Sequence, residues 1–319
     1  MFKMLLLLKG SINMRRFFPD LFLLLMAGVV AVWWATRATT LSTTEAVGID
    51  YAGDISKGGV VFNAGGCASC HMTPGQTDRK KLGGGLALKT DFGTFIAPNI
   101  SPHKTDGIGT WSALDLANAM LRGVSPKGEH YYPAFPYTSY AHANIDDIGD
   151  LMAYLRSLPA VEGKTAGHDL KFPFSIRRFV GVWKAIFLNT APIVDDPLHT
   201  PEWNRGRYLA DALGHCAECH SPRNLLGAIV QDQRYAGGPD AEGRGWVPNI
   251  TAKGLGSWSK ADVSELLATG FTPDFDSVGS SMASVVKNME ALPKSDREAI
   301  AEYLKSLPAV EGPPKPAKK

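Results

Sequence analysis

Apolar residues along the chain fall into three patterns. The first is a continuous run. Leu21 to Trp34 (LFLLLMAGVVAVWW) carries no charge, follows Lys9, Arg15 and Arg16, and is bounded by Pro19-Asp20 on one side and Arg37 on the other. The uncharged stretch from Leu21 to Thr36 is 16 residues long, short for a spanning helix and long for the apolar part of an export signal. No Ala-x-Ala cleavage site follows, and Trp33-Trp34 suits a membrane–water interface. The run therefore reads as an uncleaved anchor. Its positive flank predicts a cytoplasmic N-terminus and a periplasmic remainder.

The second pattern is helical spacing, and it occurs in pairs. Short helices are expected ahead of Cys67 and Cys216, carrying Val61 and Phe62 in one case and Tyr208 and Leu209 in the other. Ser112 with Asp115, and Ser259 with Asp262, stand as N-cap and N3 of two further helices. Leu114, Ala117 and Leu121 recur along the first, and Val263, Leu266 and Leu267 along the second, with Gly123 and Gly270 as stops. Asn144 opens a helix with the face Ile145, Ile148, Met152 and Leu155. Ser295 and Glu298 form a capping box before Ile300, Tyr303, Leu304 and Leu307, and Pro159 and Pro308 end these last helices. The third pattern, Ser175 to Leu188, alternates Arg177, Arg178 and Lys184 with Ile176, Phe179, Trp183, Ile186 and Phe187, as an amphipathic helix would.

The pairing is a tandem repeat. Pro98-Asn-Ile returns at Pro248, and Gly107-Ile-Gly-Thr-Trp111-Ser at Gly254-Leu-Gly-Ser-Trp258-Ser. Tyr154-Leu-Arg-Ser-Leu-Pro-Ala-Val-Glu-Gly163 returns from Tyr303 to Gly312. The offsets are 150, 147 and 149 residues. Composition then narrows the class. A net charge of +2 on 64 charged residues, with no basic stripe interleaved with aromatics, argues against a nucleic-acid partner. The 33 glycines and 21 prolines predict loop-rich domains wrapped around something other than their own side chains.

All four cysteines lie in Cys67-Ala-Ser-Cys70-His71 and Cys216-Ala-Glu-Cys219-His220. Cys-x-x-Cys-His is the attachment signal for c-type haem: two thiols three residues apart add to the porphyrin vinyl groups, and the next imidazole ligates the iron. A redox dithiol or a shared Cys₄ zinc site are the other chemistries of such spacing. A dithiol does not require the repeated histidine, and a zinc site would have to join motifs 149 residues apart. Trp111 and Trp258 are candidate indole donors to haem propionates, and Arg79 and Arg223 candidate guanidinium partners.

Together with Tyr131-Tyr-Pro-Ala-Phe-Pro-Tyr-Thr-Ser-Tyr140, these motifs resemble membrane-anchored dihaem cytochromes c. They are similar to the cytochrome subunits of bacterial alcohol, aldehyde and gluconate dehydrogenases. The resemblance covers about residues 50 to 312, and it departs in one respect: alcohol dehydrogenase subunits carry three haems, and this chain has two motifs. It implies an all-α architecture: an anchor and linker (1–49), a first cytochrome c domain (50–163), a connection with an amphipathic helix (164–200), a second cytochrome c domain (201–312) and a tail (313–319). Two covalent haem c groups are implied, with His71 and His220 as proximal ligands. Gly-Ser-Ser-Met282 matches the family's distal position, which leaves Met289 as a packing residue. Counting from the stop glycines, Met282 aligns with Phe135, so the first copy lacks this methionine. Met120 and Met152 align with Leu267 and Ala301 and read as core. Relatives with Pro-Ala-Phe-Pro-Tyr place a methionine where this chain has His142-Ala143, and His142, rather than His130, is the expected ligand of the first haem.

The implied function is electron transfer from a partner dehydrogenase to an oxidase or another cytochrome, without catalysis by the chain itself. The rival is a dihaem peroxidase-like enzyme whose first haem keeps an open site.

Overall fold

The computed structural model describes residues 14–49, 52–240, 242–243 and 245–315. Lys9 of the positive flank and positions 316–319 of the expected tail lie outside them. The chain divides into two units, Met1–Arg37 and Ala38–Lys319. In the first, helix α1 (Met14–Ala35) runs through Pro19, beginning earlier than the apolar run. A proline inside a helix removes one backbone hydrogen bond and crowds the carbonyl four residues back, and α1 continues through it. Phe18–Ala35 is long and apolar enough to cross a membrane.

The second unit contains both repeats. The first repeat has α2 (Ile55–Ala64), α3 (Cys67–His71), strands β1 (Ala87–Thr90) and β2 (Gly93–Ile96), then α4 (Ala113–Arg122), α5 (Tyr137–Tyr140) and α6 (Ile145–Ser157). The connection adds β3 (Asp169–Leu170), which extends the hairpin into an antiparallel sheet of order β1-β2-β3, and α7 (Phe179–Phe187). The second repeat has α8 (Pro201–Tyr208), which runs into a π turn over Leu209–Leu213, then α9 (Cys216–His220), and the short pair β4 (Gly238–Pro239) and β5 (Trp246–Val247). It continues with α10 (Ala252–Leu255), α11 (Lys260–Thr269), α12 (Ser280–Glu290) and α13 (Lys294–Ser306). The described residues thus hold helices and two small antiparallel sheets, where the sequence predicts an all-α fold.

Why the helices stop and cross where they do is visible in single residues. Ser112 and Ser259 each form a full capping box with Asp115 and Asp262, and Gly123 and Gly270 end α4 and α11 at φ +58° and +80°. The first helix of each repeat crosses the last at a glycine. A Cβ at Gly58 would lie 2.0 Å from the Asp150 carbonyl oxygen, and one at Gly206 would lie 1.8 Å from that of Ala299. Ile148, Met152 and Leu155 of α6, and Ile300, Tyr303 and Leu304 of α13, are buried against these crossings. Both repeats contribute to one buried cluster, which also takes in Met120, Tyr140 and Met289.

Two sequence expectations need correction. Helix α13 begins at Lys294 behind Pro293, which places Ser295 inside the helix. Asp296 of this first turn is instead held by Arg205 at 2.8 Å. In the connection, α7 covers nine residues, and its buried side takes in a cation beside the apolar Val180. Lys184 is 9 % exposed, whereas Phe179 and Ile186 are 53 % and 64 % exposed. The Lys184 ammonium reaches the carbonyls of Arg122 (2.8 Å) and Gly123 (2.6 Å) at the C-terminal end of α4 and lies over the Tyr137 ring. A helix end offers unpaired carbonyls and partial negative charge, and that draws a cation inward.

Candidate functional site

Each Cys-x-x-Cys-His segment folds as one helical turn, α3 or α9, entered through a left-handed residue: Gly66 at φ 64° or His215 at φ 40°. One turn brings cysteines at i and i+3 to the same side, with the histidine at i+4 beside them. The four thiols are free of disulfides. Among the described residues no three His, Cys, Asp or Glu side chains converge as a metal cluster. Burial pushes the Cys67 and Cys216 thiols up to about 12.

The histidines are oriented identically. His71 Nδ1 lies 2.8 Å from the Pro98 carbonyl, and His220 Nδ1 lies 2.8 Å from that of Pro248. A carbonyl only accepts, so Nδ1 carries the proton and Nε2 presents a lone pair, as an iron ligand must. Burial pulls both imidazoles below their ordinary range, which keeps them neutral. Each proline is positioned by the next residue. Asn99 donates to Val161 O at 2.8 Å and Gly163 O at 3.1 Å, and Asn249 donates to Val310 O at 2.8 Å. The repeated Pro-Asn-Ile and Pro-Ala-Val-Glu-Gly segments are therefore two halves of one clasp behind the motif histidine. Both segments are legible as repeats in the sequence; that they meet is not.

The clasp needs a glycine. Gly84, at φ +68°, donates its N–H to His71 O at 2.8 Å, and a Cβ there would sit 2.4 Å from the Pro98 carbonyl carbon. Gly237 repeats this at φ +73°, bonding His220 O at 2.8 Å.

The remaining candidates are placed as follows. Met282 stands on the first turn of α12, half-buried against the common core, on a helix where the sequence predicts a loop. Met289 is buried. Phe135 lies among the rings of Tyr131, Tyr137 and Tyr140. His142 Nδ1 lies 2.5 Å from Ala191 O, and its carbonyl accepts from Ile193 N at 3.2 Å. That residue ties the connection to the first repeat and leaves Nε2 for a ligand. Trp111 and Trp258 pack against the core, and their indole N–H groups have no protein acceptor among the described residues.

The two arginines engage protein acceptors. Arg79 donates to Asn288 Oδ1. Arg223 donates to Gly227 O at 2.7 Å, Glu218 O at 2.6 Å and Glu218 Oε2 at 2.5 Å. Nothing in the sequence pattern marks Glu218. Burial alone would raise its carboxyl, but Arg223, Thr138 and His215 together hold it below the ordinary range. After burial, the next influence pushing the Cys70 thiol up is the thiol of Cys219. The donor sets present, two thiols and one oriented imidazole each, fit a covalently held haem.

Comparison with known proteins agrees. The cytochrome c family profile matches residues 55–159. A diheme cytochrome c-type protein of Cereibacter sphaeroides is 48% identical over 91% of this chain and 97% of its own length. A nicotinate dehydrogenase subunit from Pseudomonas putida is 41% identical over 91% of this chain. The fructose dehydrogenase cytochrome subunit of Gluconobacter japonicus is 39% identical over 80%. The chain spans a quarter of the nicotinate dehydrogenase subunit and about half of the fructose dehydrogenase subunit. With two attachment turns built alike and a full-length relative at this identity, the chain belongs to the dihaem c-type cytochromes and carries two covalently bound haem c groups.

Proposed function

We propose that this cytochrome is an electron carrier without catalysis of its own, held at the cytoplasmic membrane by α1 with its haem-bearing unit in the periplasm. A partner dehydrogenase donates electrons, and an oxidase or another cytochrome accepts them. The carrying observation is that two attachment turns built alike, each with two thiols and one oriented imidazole, lie within one packed unit. Relatives that are subunits of dehydrogenases support the choice of donor.

Haem supplies one-electron iron chemistry when bound. The protein's part is to hold and tune it. Cys67, Cys70, Cys216 and Cys219 provide the thioether links, and His71 and His220 the proximal nitrogens, fixed by the proline carbonyls. Met282 would ligate the iron of the second site and His142 Nε2 that of the first. The indole N–H groups of Trp111 and Trp258 serve the propionates, with Arg79 and Arg223 adding positive charge nearby.

Acid–acetone extraction should leave both haems on the polypeptide, with a mass gain of two haems. The purified protein should give two reversible one-electron waves and no turnover with peroxide. The reduced protein should not bind carbon monoxide until His142 is replaced by alanine. Carbon monoxide binding by the unaltered protein, together with peroxide turnover, would overturn the carrier reading in favour of a peroxidase.

A further inference from the structure

Helices α5 and α12 occupy equivalent places in the two repeats, and each packs on the other repeat. Helix α12 lies against α2 and α3 of the first repeat, and α5 against the π turn of the second. One polar contact in each direction joins equivalent positions, and a neighbouring hydroxyl supports it. In one direction Asn288 Nδ2 donates to Ser69 Oγ at 2.8 Å, joined by Ser284 Oγ at 2.8 Å. In the other, Ser139 Oγ donates to Glu218 Oε1 at 3.0 Å, joined by Thr138 Oγ1 at 2.5 Å. Ser69 and Glu218 are the same motif position 149 residues apart, and so are Ser139 and Asn288.

We propose that each repeat sets the redox potential of the other repeat's haem through these helices. Thr138 and Ser139 are positioning residues for the second site, and Ser284 and Asn288 for the first. The proposal rests on the electron-carrier reading. Its physical basis is that a buried charge beside a redox centre shifts the balance between its two charge states, and low-dielectric surroundings sharpen the effect. Glu218 is such a charge: it is 9 % exposed, and Arg223 and the two first-repeat hydroxyls meet it. The first motif has the neutral Ser69 hydroxyl at the same place. The two sites therefore differ in charge where the opposite repeat touches them.

The hydroxyls spread and partly compensate the carboxylate charge. Withdrawing them leaves Glu218 more effective at stabilising oxidised iron, so the second site's potential falls. Removing the charge itself has the opposite sign.

The test is potentiometric titration of the intact dihaem protein. Glu218→Gln should raise one of the two waves and Ser69→Ala should shift the other, which assigns the waves to their motifs. Thr138→Val with Ser139→Ala should lower the wave that Glu218→Gln raises and leave the other in place. Asn288→Leu should move the wave that Ser69→Ala moves. In a Glu218→Gln background the Thr138/Ser139 pair should have no further effect, because those residues act through the carboxylate. Thr138→Ser, which keeps the donor, should restore the wave in the presence of Ser139. If the Thr138/Ser139 pair moves the first site's wave, moves neither, or acts equally without Glu218, the proposal fails. A protein that holds fewer than two haems or gives no reversible waves fails the carrier reading instead.

Discussion

Pro98 and Pro248 act through their carbonyls alone, and what makes them effective is the fit of the chain around them. Gly84 tests that fit. An alanine there meets both a left-handed φ and a Cβ placed 2.4 Å from Pro98, whereas at Gly75 (φ +81°) a Cβ meets nothing within 4 Å. Gly75→Ala should cost about 1–2 kcal/mol from backbone conformation. Gly84→Ala should cost roughly a further 1–3 kcal/mol from crowding, with loss of order around His71. Denaturant titration of the two variants measures the difference. Lys184 offers a test in pH. Burial brings its ammonium from an ordinary 10.5 down to about 7. Between those values the unfolded chain holds a proton that the folded chain has released, so stability climbs as pH rises, and below pH 7 this contribution is flat. Lys184→Met should remove a climb of up to about 1.4 kcal/mol per pH unit. Urea midpoints from pH 7 to about 9.5 show it; beyond that range tyrosines such as Tyr137, pushed up by burial, act in the opposite sense.

At the scale of elements, the glycine crossings are the sharpest claim. Gly206→Ala drives a methyl group into the Ala299 carbonyl, so α8 and α13 must separate. A loss of more than about 3 kcal/mol is expected, since overpacking alone costs roughly 1–3 kcal/mol and backbone cannot yield like a side chain. A thermal midpoint unchanged in this variant would mean the helices do not cross there. These elements also show what sequence can deliver. Helices α4 and α11 are readable to the residue because cap, apolar face and stop glycine all agree locally. Helix α7 defies its own pattern because Lys184 is drawn inward by a helix end 61 residues earlier in the chain. Helix α12 reads as loop because its Gly-Ser-Ser start has no side-chain cap and its packing partners include the first repeat. The attachment turns are legible as pattern, while the proline clasp and Glu218 depend on contacts that no local spacing encodes.

For the whole molecule, α1 and the Ala38–Lys319 unit make separable predictions. A chain beginning at Ala38 and exported behind a cleavable signal should be recovered without detergent and should hold both haems. The full chain should sediment with membranes. Fractionation followed by haem staining checks both, and a full chain found in the soluble fraction would remove the anchor while leaving the haem sites untouched.

The reciprocal seating of α5 and α12 has a consequence for ancestry and symmetry. Contacts in which position i meets j and j meets i are those of an isologous homodimer. Two copies fused in that arrangement need no second chain to find them, so the pairing does not weaken on dilution. Fusion also lifts a restriction: in a homodimer any residue beside the axis appears twice. Here His215 stands before the second motif and Gly66 before the first, and a Cβ at Gly66 would lie 3.9 Å from His215 Nε2 and 3.3 Å from Asn288 Nδ2. Two histidines would compete for that space; one histidine facing a glycine fits. An asymmetric pair of this kind is closed to a homodimer and open to a fused chain.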